Sequence, residues 1–253
     1  TLQELHLGAC RLKQLPVNLL RGLNQLQSLY IWGNLIEHFS NGFFLKAKNL
    51  RELVMWGNRI EHLDNNTLAG LWSLKRLELD RNSIEHLSSL AFRHLIELEV
   101  LTLSGNRIKT IHSDTFSFMS RLKILVLDNN QLKNLFPGAF NSLTHLTLLS
   151  LNSNEINHMP EELFQGLKSL TQLWISKNLI HSLRGNAFLF LKYLQDLNLS
   201  NNNLTNLPDK LFWATTRLRH LTFDYNKLSS VARCLFPKKI RLKSLSLIGN
   251  EIK

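Results

Sequence analysis

The chain has 253 residues, 44% of them hydrophobic and 19% charged, with a formal net charge of +11. That apolar content supplies a sizeable core and excludes a disordered chain, while two cysteines are too few for a disulfide framework. The longest apolar run, Ala187 to Leu194, is broken by Lys192, so there is no membrane span, and no secretory h-region opens the chain.

Leucine accounts for 57 residues, and its order is periodic. The pattern L-x-x-L-x-L-x-x-N-x-L starts at Leu2, Leu26, Leu50, Leu74, Leu98, Leu122, Leu146, Leu170, Leu194, Leu218 and Leu242, always 24 residues apart. Counting each of these leucines as position 1, ten full repeats run from residue 2 and a half repeat fills 242–253, giving one domain over 1–253. Leucines at positions 4 and 6 alternate with polar residues, which predicts one short strand per repeat with one buried face. Position 9 is Asn from Asn34 to Asn250; its amide is expected to bond backbone groups left open by the turn after the strand. Position 14 is apolar from Leu15 to Val231, and position 19 is Phe in eight of ten repeats, from Phe44 to Phe236, so the returning half also faces a core. One such unit cannot bury its own apolar face; stacking at about 4.8 Å per strand does so.

These residues resemble the leucine-rich repeats of the 24-residue class found in receptor and other extracellular proteins, and the resemblance covers the whole chain. It implies an α/β solenoid, a horseshoe with a parallel β-sheet on the concave face and an irregular, 3-10 or helical convex side. The segment Leu204 to Leu218 resembles Toll-type receptor ectodomains, and other segments resemble neuronal adhesion ectodomains. The variable lymphocyte receptors of jawless vertebrates share the period but not the repeat wording. The Toll likeness implies a protein ligand or microbial pattern as partner and dimerisation by parts beyond this chain.

Cys10 occupies the position-9 slot, where the family pattern allows Asn or Cys, and is expected to be a buried thiol. Cys234 lies nine repeats away, roughly 40 Å along a stack of 4.8 Å steps, too far for a disulfide. Neither end carries the cysteine-rich cap usual in extracellular relatives, so the chain reads as a piece of a longer ectodomain. Sequons stand at Asn65, Asn198 and Asn203, about the number expected by chance; a glycan on Asn198, at position 5, would block the concave face.

No nucleophile elbow, phosphate loop, paired-cysteine motif or zinc-protease motif is present, and adjacent His112, Ser113 and Asp114 do not make a triad. His38, His62 and His86 fall in one column through a repeated Ile-Glu-His, read as duplication on a solvated turn rather than a metal site. The expectation is therefore no catalysis, no cofactor and no metal.

Positions 2, 3, 5, 7 and 8 face out from the sheet. Tyr30, Trp32, Val54 and Trp56 form an apolar cluster there, with Gly33 and Gly57 expected to leave room for the indoles. Val100, Ile124, Val126 and Leu148 form a second, and Trp174 stands alone on the eighth repeat. Exposed aromatic and apolar clusters anchor protein partners. Acidic and basic residues on this face cancel, eight against eight. Positions 20 to 24 instead hold eleven basic residues and one acid, Glu97, crowding at Arg217, Lys238, Lys239 and Arg241, with Lys239 in a normally apolar slot. The reading is a non-enzymatic recognition module of a receptor or secreted protein, extracellular or cell-surface, binding a protein ligand through its concave face, with a dimer possible. The alternatives are a polyanion, nucleic acid or sulfated glycan, on the basic edge, or an engineered consensus scaffold.

Overall fold

The computed structural model describes residues 1–253. Eleven three-residue strands, one per repeat, form a single parallel sheet. They are β1 (Glu4–His6), β2 (Ser28–Tyr30), β3 (Glu52–Val54), β5 (Arg76–Glu78), β7 (Val100–Thr102), β9 (Ile124–Val126), β11 (Leu148–Ser150), β12 (Gln172–Trp174), β13 (Asp196–Asn198), β14 (His220–Thr222) and β15 (Ser244–Ser246). Each residue pairs with the one 24 places on, as in Leu29 with Leu53. The constant period therefore sets the sheet register directly, and columns of equivalent positions run across the strands. Four two-residue strands make two further parallel pairs: β4 (His62–Leu63) with β6 (His86–Leu87), and β8 (Thr110–Ile111) with β10 (Asn134–Leu135).

The convex return is irregular. It contains no helix and runs as successive turns closed by bonds such as Leu95 N–H to Phe92 O, 2.9 Å, and Leu98 N–H to Leu95 O, 3.2 Å. The sheet leucines and the return face one another across a single core of 66 buried residues. Position-19 phenylalanines stack through it: Phe92 on Phe116 at 6.0 Å, Phe116 on Phe140 at 6.2 Å, Phe188 on Phe212 at 5.7 Å. The turns approach closely at Gly166, where a β-carbon would overlap the backbone of Asn141 in the preceding turn.

The asparagine column forms the expected ladder. Asn130 donates to the carbonyls of Leu103 (2.9 Å) and Leu127 (3.0 Å), and its Oδ1 accepts from Ile108 N–H at 3.0 Å. The same three bonds recur from Asn58 to Asn250, tying each turn to its predecessor. Cys10 corrects an expectation. It is exposed, and its Sγ reaches Gly8 O at 3.2 Å.

Position 8 shows a rule that leucine spacing does not announce. Its backbone is left-handed in all eleven repeats, from Ala9 (φ 54°) through Gly57 (67°) and Arg81 (51°) to Gly249 (70°). Gly33 and Gly57 therefore suit this turn. They do not make room for the indoles, since a β-carbon on Gly33 would face Ala9 and one on Gly57 would face Gly33.

Candidate partner-binding face

The sheet places positions 3, 5 and 7 in three columns on the concave side. In the position-7 column Trp32 and Trp56 are stacked, with ring centroids 5.0 Å apart and planes 11° from parallel. Gly8 opens the column, and a β-carbon there would overlap the indole of Trp32. Trp32 thus lies between Gly8 and Trp56, and both indoles are half-buried. On its other side Trp56 borders a hollow of about 660 Å³ lined also by Glu78, Asp80, Arg81, Thr102, Ser104 and Val126. Beside Val126, the row Val100, Ile124 and Leu148 crosses β7, β9 and β11 in register, each residue half-buried. The hollow thereby joins the two apolar clusters that look separate in the sequence.

Other predicted residues fall elsewhere. Val54 is a correction: it is only 6% exposed, flanked in its column by the longer Tyr30 and Glu78, and presents no surface to a partner. Tyr30 stacks on His6 at 4.4 Å and donates its hydroxyl to Glu52 at 2.6 Å. That bond to a carboxylate, reinforced by burial, holds the phenol above its ordinary pKa. Trp174 lies on β12 between Ser150 and Asn198, away from the hollow. All three sequon asparagines are half-buried; Asn65 accepts from Ser88 Oγ, and Asn198 accepts from Ser200 N–H at 3.0 Å.

The even charge count hides an asymmetry. Asp128, at position 7, accepts from Ser150 Oγ (2.6 Å) and Asn152 N–H (2.8 Å) of the next turn. Asp80 does the same for Thr102 and Ser104, and Asp224 for Ser246 and Ile248. These acids close the exits of the following strands. Glu52 and Glu78 face Arg76, and Glu99 accepts from Lys123 at 2.6 Å with Lys75 at 3.6 Å. The Lys123 bond leads the causes that hold the Glu99 carboxyl below the usual range. Asp196 and Glu4 meet His220 and His6. Every concave acid is engaged, whereas Arg51, Arg81, Lys177, Arg219 and Lys243 have no carboxylate within 4.0 Å.

At the C-terminal flank Arg217, Lys238, Lys239 and Arg241 are all exposed. Lys239 stands out because the apolar register slips by one: Ile240 packs against the core, and its N–H bonds Pro237 O at 3.2 Å. Position spacing assigns Arg219 and Lys243 to the concave face. The structure brings them to the same flank groove as Arg217, Lys239 and Arg241.

No catalytic constellation forms at the sequence candidates. His112 stacks on Phe136 at 5.6 Å, while Ser113 Oγ reaches only its neighbour Asp114, at 3.4 Å. His62 and His86 stack at 6.0 Å through the β4–β6 pair, and the exposed His38 stays outside it. No three His, Cys, Asp or Glu side chains converge as metal ligands would. No helix is long and apolar enough to cross a membrane.

Known structures share this architecture. The chain is similar to one in the Toll–Spatzle complex, a molecular hub in Drosophila development and innate immunity. Identity is 24% and the TM-score 0.79, over 96% of this chain and 36% of that one. The glycosylated form of that complex gives a TM-score of 0.88 at 23% identity, over 98% and 34%. A chain of the TLR13–ssRNA13 complex gives 0.56 at 24% identity, over 99% and 47%. The chain thus spans between a third and a half of the length of those it matches, and the likeness is one of fold. No curated protein sequence matches it. The leucine-rich-repeat profile matches residues 1–60, 24–84, 48–108, 72–132, 120–180 and 170–228, and the chain belongs to the leucine-rich-repeat family.

Proposed function

We propose that the chain is a non-enzymatic recognition module that binds a protein ligand on its concave face, as part of an extracellular or cell-surface receptor or a secreted binding protein. The observation that carries this reading is the hollow bordered by Trp56 and Val126, set between the Trp32–Trp56 stack and the Val100–Ile124–Leu148 row. A large aromatic wall at Trp56, the aliphatic Val126 and polar groups around them suit a hot-spot side chain of a partner. The hollow is not a small-molecule pocket of the usual kind, being open and mostly polar at its edge. The fold likeness to a chain of the Toll–Spatzle complex agrees with a recognition role.

Selection of binders from a random-peptide library on the immobilised chain tests this. Hydroxyl-radical footprinting of the bound chain is expected to protect Trp56 and Val126. Protection confined to convex residues such as Val17, Leu45 and Phe118 would overturn the concave-face reading.

A further inference from the structure

The flank beside β14 and β15 holds a groove of about 570 Å³ lined by Gln195, Thr216, Arg217, Leu218, Arg219, Lys239, Arg241 and Lys243. Five of these residues are cations and none is an acid. None of the five has a carboxylate within 4.0 Å, although cations on the same flank further up the solenoid do: Arg121 pairs with Glu97, and Lys75 and Lys123 with Glu99. The carboxylate of the adjoining strand, Asp196, faces His220 at 4.0 Å. A set of like charges left uncompensated within one depression raises the local potential and attracts a counter-charge from outside.

The arrangement is also ordered. Arg217 and Arg241 share one repeat position and Arg219 and Lys243 another, so each pair sits on adjacent turns about 4.8 Å apart. Lys243 N–H bonds Arg219 O at 2.7 Å, which ties the two adjacent turns together. The Arg217 guanidinium carbon lies 4.4 Å from the Tyr193 ring centroid, so its plane is held in place. Lys239 joins them only because Ile240 has taken its core slot. We propose that this groove binds a sulfated glycan chain, with the five cations meeting successive sulfates and the side chains of Gln195 and Thr216 meeting hydroxyls.

A nucleic acid fits less well. Single-stranded binding relies on aromatic faces for the bases to stack on, and no aromatic residue lines the groove. Tyr193 beside it, 46% exposed, has one face taken by Arg217 and so offers a single ring face at most. The site is separate from the concave hollow, so the two readings stand or fall independently.

The test measures heparin dodecasaccharide binding by titration calorimetry across a salt series. It uses the chain, the groove variant Arg217→Ser/Lys239→Ser/Arg241→Ser, and a control of equal charge change, Arg21→Ser/Lys46→Ser/Lys48→Ser. All six substituted residues are exposed, so matching unfolding midpoints are expected and are checked first. The groove variant should bind at least tenfold more weakly. Its log-affinity versus log-salt slope should be shallower by about 2, since each cation removed from a flexible polyanion's site lowers the slope by roughly 0.7. The control should stay within twofold. Equal losses in both variants would reduce the effect to net charge, and absence of heparin binding at physiological salt would remove the site. Tighter binding of a thymidine homopolymer of matched charge would make nucleic acid the occupant; each of these three results overturns the proposal.

Discussion

The turns around Asn130 and the turns around Asn250 are written in one repeat grammar but use their polar groups differently. In the middle of the solenoid the ladder amides are buried, the position-7 acids close strand exits, and flank cations meet carboxylates. At the C-terminal end Asn250 is half-buried, Val231 in the apolar position-14 column is 36% exposed, and the flank cations point outward with no acid near. The difference teaches that a repeat's consensus residues hold the stack, while the polar groups outside the consensus are engaged in one region and left without an internal partner in the other.

The ladder gives the widest contrast. Asn130→Ala should cost at least about 3 kcal/mol in chemical denaturation, because three buried backbone groups lose a partner at roughly 1–3 kcal/mol each. Asn250→Ala breaks the same three bonds where water can replace them, and about 1 kcal/mol is expected. Equal losses would remove the distinction between the two regions.

Position 21 gives the next contrast. Gly166→Ala should cost about 1–3 kcal/mol through overlap with the Asn141 backbone. At the same position in the last full repeat Lys238 already stands exposed, and Lys238→Ala should change stability by less than about 0.5 kcal/mol. One position further on, Lys239→Leu restores the consensus residue yet should also stay within about 0.5 kcal/mol, since Ile240 already packs in its place. A gain well above that would show the slipped register to be strained.

The smallest effect concerns His94, again at position 21 but in the body. Burial first, and the neighbouring Arg93 second, lower its pKa from the ordinary 6.5. The folded state therefore favours the neutral ring. Its contribution is complete above pH 6.5 and is lost as pH falls through the lowered folded value. An NMR titration of the His94 ring should give a midpoint below 6.5, and a midpoint at or above that value would show the ring to be freely solvated.

Much of the fold is legible in the sequence because a fixed 24-residue period turns position numbers into spatial neighbours. The sheet, the asparagine ladder and the Trp32–Trp56 stack follow from those numbers alone. What the period does not carry is relative side-chain size and rotamer. Val54 disappears because its column neighbours are longer, and the position-7 acids are tied into the turns because Ser, Thr and backbone N–H groups one turn on can reach them. The groove at Arg219 and Lys243 is not legible in this way, because the period assigns position 2 to the concave face, whereas these two side chains line the flank with Arg217 and Arg241.

Under the proposed function, the concave hollow, and not exposure alone, is what makes a tryptophan matter. Trp56 is half-buried, whereas Trp213 on the return segment is 49% exposed and donates its Nε1–H to Cys234 O at 3.1 Å. The direct measurement is the affinity of library-selected peptides for the chain, Trp56→Ser and Trp213→Ser, with unfolding midpoints taken alongside. At least a tenfold loss is predicted for Trp56→Ser and less than twofold for Trp213→Ser. Unchanged affinity in Trp56→Ser, or a larger loss in Trp213→Ser, would contradict the role given to the hollow.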